Sequence, residues 1–256
     1  MLLLLAAAAP ATAQHLRYQD VLAADHEVGP RLTYRTVVDP AEEDDGVPAF
    51  YGDRLEWRPQ RGADAYNWDV SAQVGGSEHR LWLATTGDGL FGGPLEYLEA
   101  QALYSHAVGG SELLIQAGLR QDFVPRPRRS YAVLGVQGNL TAPLYVGAFG
   151  FLSHKGEFTG RLFGTYDLEL VPDRLILQPA FETEIAAADV PELGIGAGPV
   201  YVEAGLRLRY RVQGGLAPYV GVNWERLLGR TARFAREAEE GVEATNFVVG
   251  LRAYLE

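Results

Sequence analysis

The amino-acid sequence predicts an all-β chain: a transmembrane, antiparallel, up-and-down β-barrel of about 12 strands, with short periplasmic turns and longer outside loops. Three observations lead there. From Tyr51 onward apolar and polar residues alternate with period 2, the mark of strands with two unlike faces. The alternating segments each approach the roughly 9–11 residues that a tilted strand needs to cross a bilayer. The connections between them are short and long by turns, as they are when alternate turns share a rim.

The first residues have another character. Leu2 to Ala9 form a short apolar run, and Ala11-Thr12-Ala13 is a small-residue cleavage pattern ahead of Gln14. A run this short cannot span a bilayer as a helix, which needs roughly 20 residues. Residues 1–13 therefore read as an export signal. Residues 14–48 are polar, carry the acidic run Glu42-Glu43-Asp44-Asp45 and hold Pro30, Pro40 and Pro48 without any period, so they read as a flexible periplasmic leader. Residues 49–256 are left for the barrel.

The strands justify themselves one by one. In Tyr66 to Val74 the apolar set is Tyr66, Trp68, Val70, Ala72 and Val74, and the polar set is Asn67, Asp69, Ser71 and Gln73. In Val200 to Val212, valines, leucines and Tyr210 alternate with Glu203, Gly205, Arg207, Arg209 and Arg211. Leu162, Tyr166, Leu168 and Leu170 stand against Arg161, Asp167 and Glu169. Leu175, Leu177, Phe181 and Ile185 stand against Arg174, Gln178, Glu182 and Glu184. A soluble sandwich or a lipocalin-like calyx would have to expose the apolar face or bury the ionic one. A lipid-facing exterior around a polar lumen satisfies both. Such segments start near Tyr51, Ala65, His79, Pro94, Ser111, Arg129, Pro143, Glu157, Asp173, Gly196, Leu216 and Glu243. Tight connections carry turn residues: Gly75-Gly76-Ser77, Gly109-Gly110-Ser111, Asn139 to Pro143, Pro172-Asp173 and Gly214-Gly215. Phe123 to Ser130, Ala187 to Gly196 and Gly229 to Gly241 are longer and belong to the outside rim.

Composition narrows function without naming it. The chain has 256 residues, enough for one large barrel domain. It has no cysteine, so disulfides and thiolate metal sites are excluded. A net charge of −11 and a pI near 5.0 exclude a nucleic-acid partner, whose phosphates require a basic face. Ser105 and His106 are adjacent, so on a strand they point to opposite faces and cannot pair as nucleophile and base. No other serine sits in a nucleophile motif. The chain therefore reads as no enzyme, with outer-membrane lipid as its surroundings and a monomer as its state.

Strand parity points a set of charges into the lumen: Arg54, Glu56, Arg58, Asp69, Arg80, Glu99, Arg120, Asp122, Arg161, Asp167, Glu169, Arg174, Glu182, Glu184, Glu203, Arg207, Arg209, Arg211, Glu225 and Arg252. Buried charges need partners, and the near balance of signs supplies them. The favoured reading is a salt-bridged, constricted interior; the other is a carboxylate-lined cation pathway.

Several strings carry a family resemblance. They include Glu203-Ala-Gly-Leu-Arg-Leu-Arg-Tyr210, Ala217-Pro-Tyr-Val-Gly-Val-Asn-Trp-Glu-Arg226 and Gly229-Arg230-Thr231-Ala232. Asp173 to Pro179, Leu103 to Ala107, Gly135 to Gly138 and Arg80 to Leu83 add to them in order along the chain. The sequence resembles the copper resistance protein B family of outer-membrane barrels. The resemblance implies a bacterial outer-membrane protein of copper resistance or homeostasis that binds copper ions or passes them across the membrane. It also implies a copper ion as ligand and a periplasmic multicopper oxidase or copper chaperone as partner. The alternative is a small structural or general channel barrel with a salt-bridged lumen and no copper role. Members commonly carry a Met- and His-rich N-terminal segment, whereas Met1 is the only methionine here.

Candidate metal ligands are therefore histidines: His79 and His106, then His15 and His26 in the leader. His79 shares the face of Leu81 and Leu83, and His106 that of Tyr104. Parity places both outside the barrel at the periplasmic rim. An imidazole there belongs either to the interfacial belt of aromatic anchors or to a site that captures a metal ion arriving from the periplasm. His154, in an outside loop, reads as solvated.

Overall fold

A computed structural model describes residues 48–256, apart from 61, 110, 213–214 and 256. The expected export signal, the leader up to residue 47 and the candidates His15 and His26 lie outside the described residues.

The strands are β1 (Ala49–Arg58), β2 (Ala65–Gly75), β3 (His79–Leu90), β4 (Leu95–Ala107), β5 (Leu113–Val124), β6 (Arg129–Thr141) and β7 (Leu144–Ser153). They continue as β8 (Phe158–Tyr166), β9 (Leu168–Val171), β10 (Leu175–Ala186), β11 (Gly198–Tyr210), β12 (Leu216–Leu227) and β13 (Glu243–Leu255). Consecutive strands pair antiparallel except β8 and β9, and β1 pairs with β13, which closes the sheet. β8 and β9 form one stave. Both pair with β10, and the register of Thr165 on Ala180 continues as Leu168 on Leu177 across the break at Asp167. The result is the expected closed barrel of 12 strands.

Closure leaves no long edge unpaired, which a membrane-spanning sheet requires because lipid offers no hydrogen bonds. The outer surface is apolar: Leu119, Leu134, Leu162, Phe181, Val220 and Phe247 all project outward and are exposed. The connections obey the expected parity. Residues 76–78, 142–143 and 172–174 link strands at the end where the described chain begins. The opposite end carries 125–128, 187–197 and 228–242.

A bulge in β1 shifts the register between Gly52 and Arg54, and both Asp53 and Arg54 are buried in the lumen. Among the described residues, eleven carboxylates and nine arginines are buried. The interior is not purely ionic, however, and this corrects the expectation of polar insides. Trp82, Leu103, Tyr131, Val133, Tyr145, Phe149, Phe151 and Phe163 form one packed cluster from β3, β4, β6, β7 and β8. Room for it comes from glycine: Phe163 lies over Gly147, its register partner on β7, where a Cβ would occupy the ring's space.

The long-loop end holds structure where the sequence predicts only loops. A 3-10 turn (Pro191–Leu193) and the helix α1 (Gly229–Glu237) form within the long connections at this end. Val190, Leu193, Ile195, Ala232 and Ala235 join Ala186, Val200, Tyr201 and Leu227 in a second apolar core. Ala232 and Ala235 share one face of α1, while Arg233 and Glu237 pair at 3.6 Å on another. Gly196 passes so close to the backbone of Arg230 and Thr231 that a side chain has no space, and its N–H donates to Thr231 Oγ1 at 2.9 Å.

Candidate functional site

Two places gather side chains with chemical capacity: the outside of the short-turn rim and the filled interior. At the rim, β3 begins and β4 ends so that His79 and His106 are direct cross-strand partners. Their rings stack, 4.7 Å between centroids and 20° between planes, and the two Nδ1 atoms are 3.2 Å apart. The Tyr104 hydroxyl is 2.5 Å from His79 Nδ1. Glu78 Oε2 lies 3.9 Å from His79 Nε2. All four side chains are exposed, in line with the parity that places the histidines outside. Sequence reasoning put Tyr104 on this face but gave it no role. Ser105, between them in register, turns inward and accepts from Gln116 Nε2 at 2.6 Å, so it is separated from His106 by the wall of the barrel. His154 stays exposed in its loop, where its Nδ1 lies 3.2 Å from Ser130 N. Among the described residues no three His, Cys, Asp or Glu side chains converge as a metal site would require.

Inside, Arg120 is held by Asp122 at 2.7 Å and Glu99 at 2.9 Å. Its guanidinium lies over the rings of Tyr131 and Phe151, at 4.8 Å and 4.9 Å. Arg161 approaches the same Phe151 ring at 5.1 Å and pairs with Glu184 at 2.6 Å and Glu182 at 3.5 Å. Both guanidinium groups thus lie over one benzene ring, each neutralised by carboxylates. Lower in the barrel Glu56 accepts from Arg58 at 3.0 Å, Arg207 at 3.1 Å and Tyr219 at 3.0 Å. Arg252 pairs with Asp53 at 2.9 Å and Arg209 with Asp167 at 2.6 Å. Glu182, Glu203 and Glu225 lie in one row across β10, β11 and β12.

Of the predicted lumen charges, Glu99, Arg120, Arg161, Glu182, Glu184, Glu203, Arg207, Arg209, Glu225 and Arg252 are buried inside, and Asp167 is half-buried. Glu169 is a correction. It is exposed near the end of β9 and meets Arg211 at 3.3 Å, because the strand has already run past the enclosed part of the barrel. Arg174, expected inside, is likewise exposed in the turn between β9 and β10. The tyrosines that tie the network, Tyr97, Tyr201 and Tyr219, share the strand parity of Glu99, Glu203 and Glu225, but residue type alone gave them no interior role, because tyrosine suits a lipid interface equally well.

The mouth opposite the histidines is tied by a third set of charges. Arg129 bridges Glu157 at 2.9 Å and Glu192 at 2.6 Å, and Lys155 adds a contact to Glu192 at 3.0 Å. Partial burial alone would raise the Glu157 carboxyl, but hydrogen bonds from Arg129 and Ser153 hold it below its ordinary value. Arg129 and Lys155 do the same for Glu192. Both stay ionised at neutral pH, and three outer loops remain linked.

The comparisons agree with this geometry. The family model described as Copper resistance protein B precursor matches residues 47–255. A copper resistance protein B homolog of Pseudomonas syringae pv. tomato is 42% identical over 205 residues, 80% of this chain and 69% of that protein. Copper resistance protein B of Escherichia coli is 38% identical over 202 residues, 79% of this chain and 67% of that protein. Among solved structures, the NanC porin superposes with a TM-score of 0.51 at 13% identity, covering 82% of this chain and all of that one, a likeness of fold alone. A closed barrel with an apolar belt, porin-like in fold and matched along its whole described length, has its place in the bacterial outer membrane. The chain belongs to the copper resistance protein B family, and its role lies in copper resistance.

Proposed function

We propose that the barrel serves copper resistance by holding copper ions at the outer membrane, without catalysis and without letting them diffuse through a water-filled pore. The filled interior carries this reading. Arg54, Arg58 and Arg161 are long side chains no more than 2% exposed, which leaves water little access to the space around them. An aromatic cluster occupies the lumen near one wall, and a second apolar core packs the long connections onto the outer ends of β10, β11 and β12. A cation crossing this interior would have to break guanidinium–carboxylate pairs in a medium of low dielectric, where each broken pair leaves an uncompensated charge. Holding an ion at a wet rim carries no such penalty. A periplasmic multicopper oxidase or copper chaperone is the partner this role calls for, since ions held at the inner rim must be taken over from the periplasmic side.

Deleting the gene tests the reading. The expected result is lower copper tolerance together with less cell-associated copper, both restored by the gene in trans. Unchanged tolerance and copper content would reject a copper-holding role and leave a structural barrel.

A further inference from the structure

We infer that His79 and His106 form a bidentate chelate for a divalent, borderline metal ion on the outside of the periplasmic rim, with Tyr104 as a third oxygen donor and water completing the shell. The identity of that ion as Cu(II) rests on the function proposed above; the chelate itself rests on geometry. Metal–imidazole bonds are roughly 2.0–2.1 Å long, so two of them at an angle between square and tetrahedral span about 2.9–3.4 Å. The Nδ1 atoms stand 3.2 Å apart, inside that span. Cross-strand pairing fixes both backbones, so little ordering entropy is left to lose on binding.

The proton inventory is consistent with the same site. Two facing Nδ1 atoms can share one proton, one ring donating and the other accepting. For both to turn lone pairs to a metal, both rings take the Nε2–H tautomer. The shared proton then moves from one ring's Nδ1 to its own Nε2 through solvent, so the rings release none; the Tyr104 hydroxyl releases one to solvent when its oxygen binds as phenolate. His79 Nε2–H then points toward the Glu78 carboxylate, at present 3.9 Å away, the arrangement by which a carboxylate fixes a ligating ring. The donors are nitrogen and phenolic oxygen, which suit Cu(II) and Zn(II); Cu(I) prefers sulfur, and the barrel has neither cysteine nor methionine.

The test is calorimetric titration of the purified full chain in detergent with Cu(II), Zn(II) and, under reducing conditions, Cu(I). The same titrations are run on His79→Ala/His106→Ala and on Tyr104→Phe. The wild type is expected to bind one Cu(II) at this site, with electron paramagnetic resonance couplings from two imidazole nitrogens. The double variant is expected to lose those couplings and bind at least tenfold more weakly, while Tyr104→Phe keeps the couplings with a smaller loss. Heat-modifiable gel migration verifies that each variant is folded. Equal Cu(II) affinity and unchanged couplings in the double variant would overturn the chelate and return both rings to the interfacial belt. A double variant that loses metal binding, in a background where gene deletion leaves copper tolerance untouched, would keep the chelate and reject the copper role.

Discussion

Replacing Arg161 with methionine is expected to destabilise the barrel by about 3–5 kcal/mol, the usual cost of removing one member of a buried ionic group. Methionine keeps most of the volume, so the loss is electrostatic. Glu182 and Glu184 lose the guanidinium they share, and Phe151 loses one of the two cations over its ring. Denaturant unfolding in lipid vesicles, followed by tryptophan fluorescence, measures the change. Arg211→Ala at the exposed rim is the internal reference. Its pair with Glu169 is open to water, where such pairs contribute about 0–1 kcal/mol. Similar losses in the two variants would mean that the interior is as wet as the rim.

The second large effect belongs to the other face. Leu134 lies in the middle of β6, points outward and is 64% exposed, between Ala117 on β5 and Gly150 on β7. Leu134→Arg is expected to cost about 2–4 kcal/mol, the penalty for a cation at the bilayer midplane on a barrel's lipid face. Leu255→Arg is equally outward but sits at the end of β13, and falls in the range of about 0–1 kcal/mol that applies near the interface. The contrast between positions is the signal: a soluble barrel would tolerate an arginine at either.

Much of the architecture was legible because lipid and lumen impose opposite demands on alternate residues. β2 and β11 state their two faces in the sequence, and the glycines and prolines between strands mark the turns. β7 shows where that logic fails. In Leu144–Ser153 both faces are apolar or small, so period 2 separates nothing, and the inward course of Tyr145, Phe149 and Phe151 becomes visible only through their packing against β6 and β8. The folded part of the long connections was hidden for another reason. Its helix offers only Ala232 and Ala235 to the core, a pattern too sparse to distinguish from a solvated loop, and the 3-10 turn gains its meaning from a partner far along the chain. At the periplasmic rim, parity placed His79 and His106 on one face. Their approach to 3.2 Å depends on the register of β3 against β4, which no local pattern fixes.

The interior decides between holding ions and passing them. Reconstituting the purified full chain in planar lipid bilayers measures this directly, with insertion verified by antibody capture of the same membranes. The filled lumen predicts no steady conductance above the leak of the bare membrane, in potassium chloride or in copper salts. A reproducible ohmic step with each insertion, of the size that a water-filled lumen carries, would contradict the account.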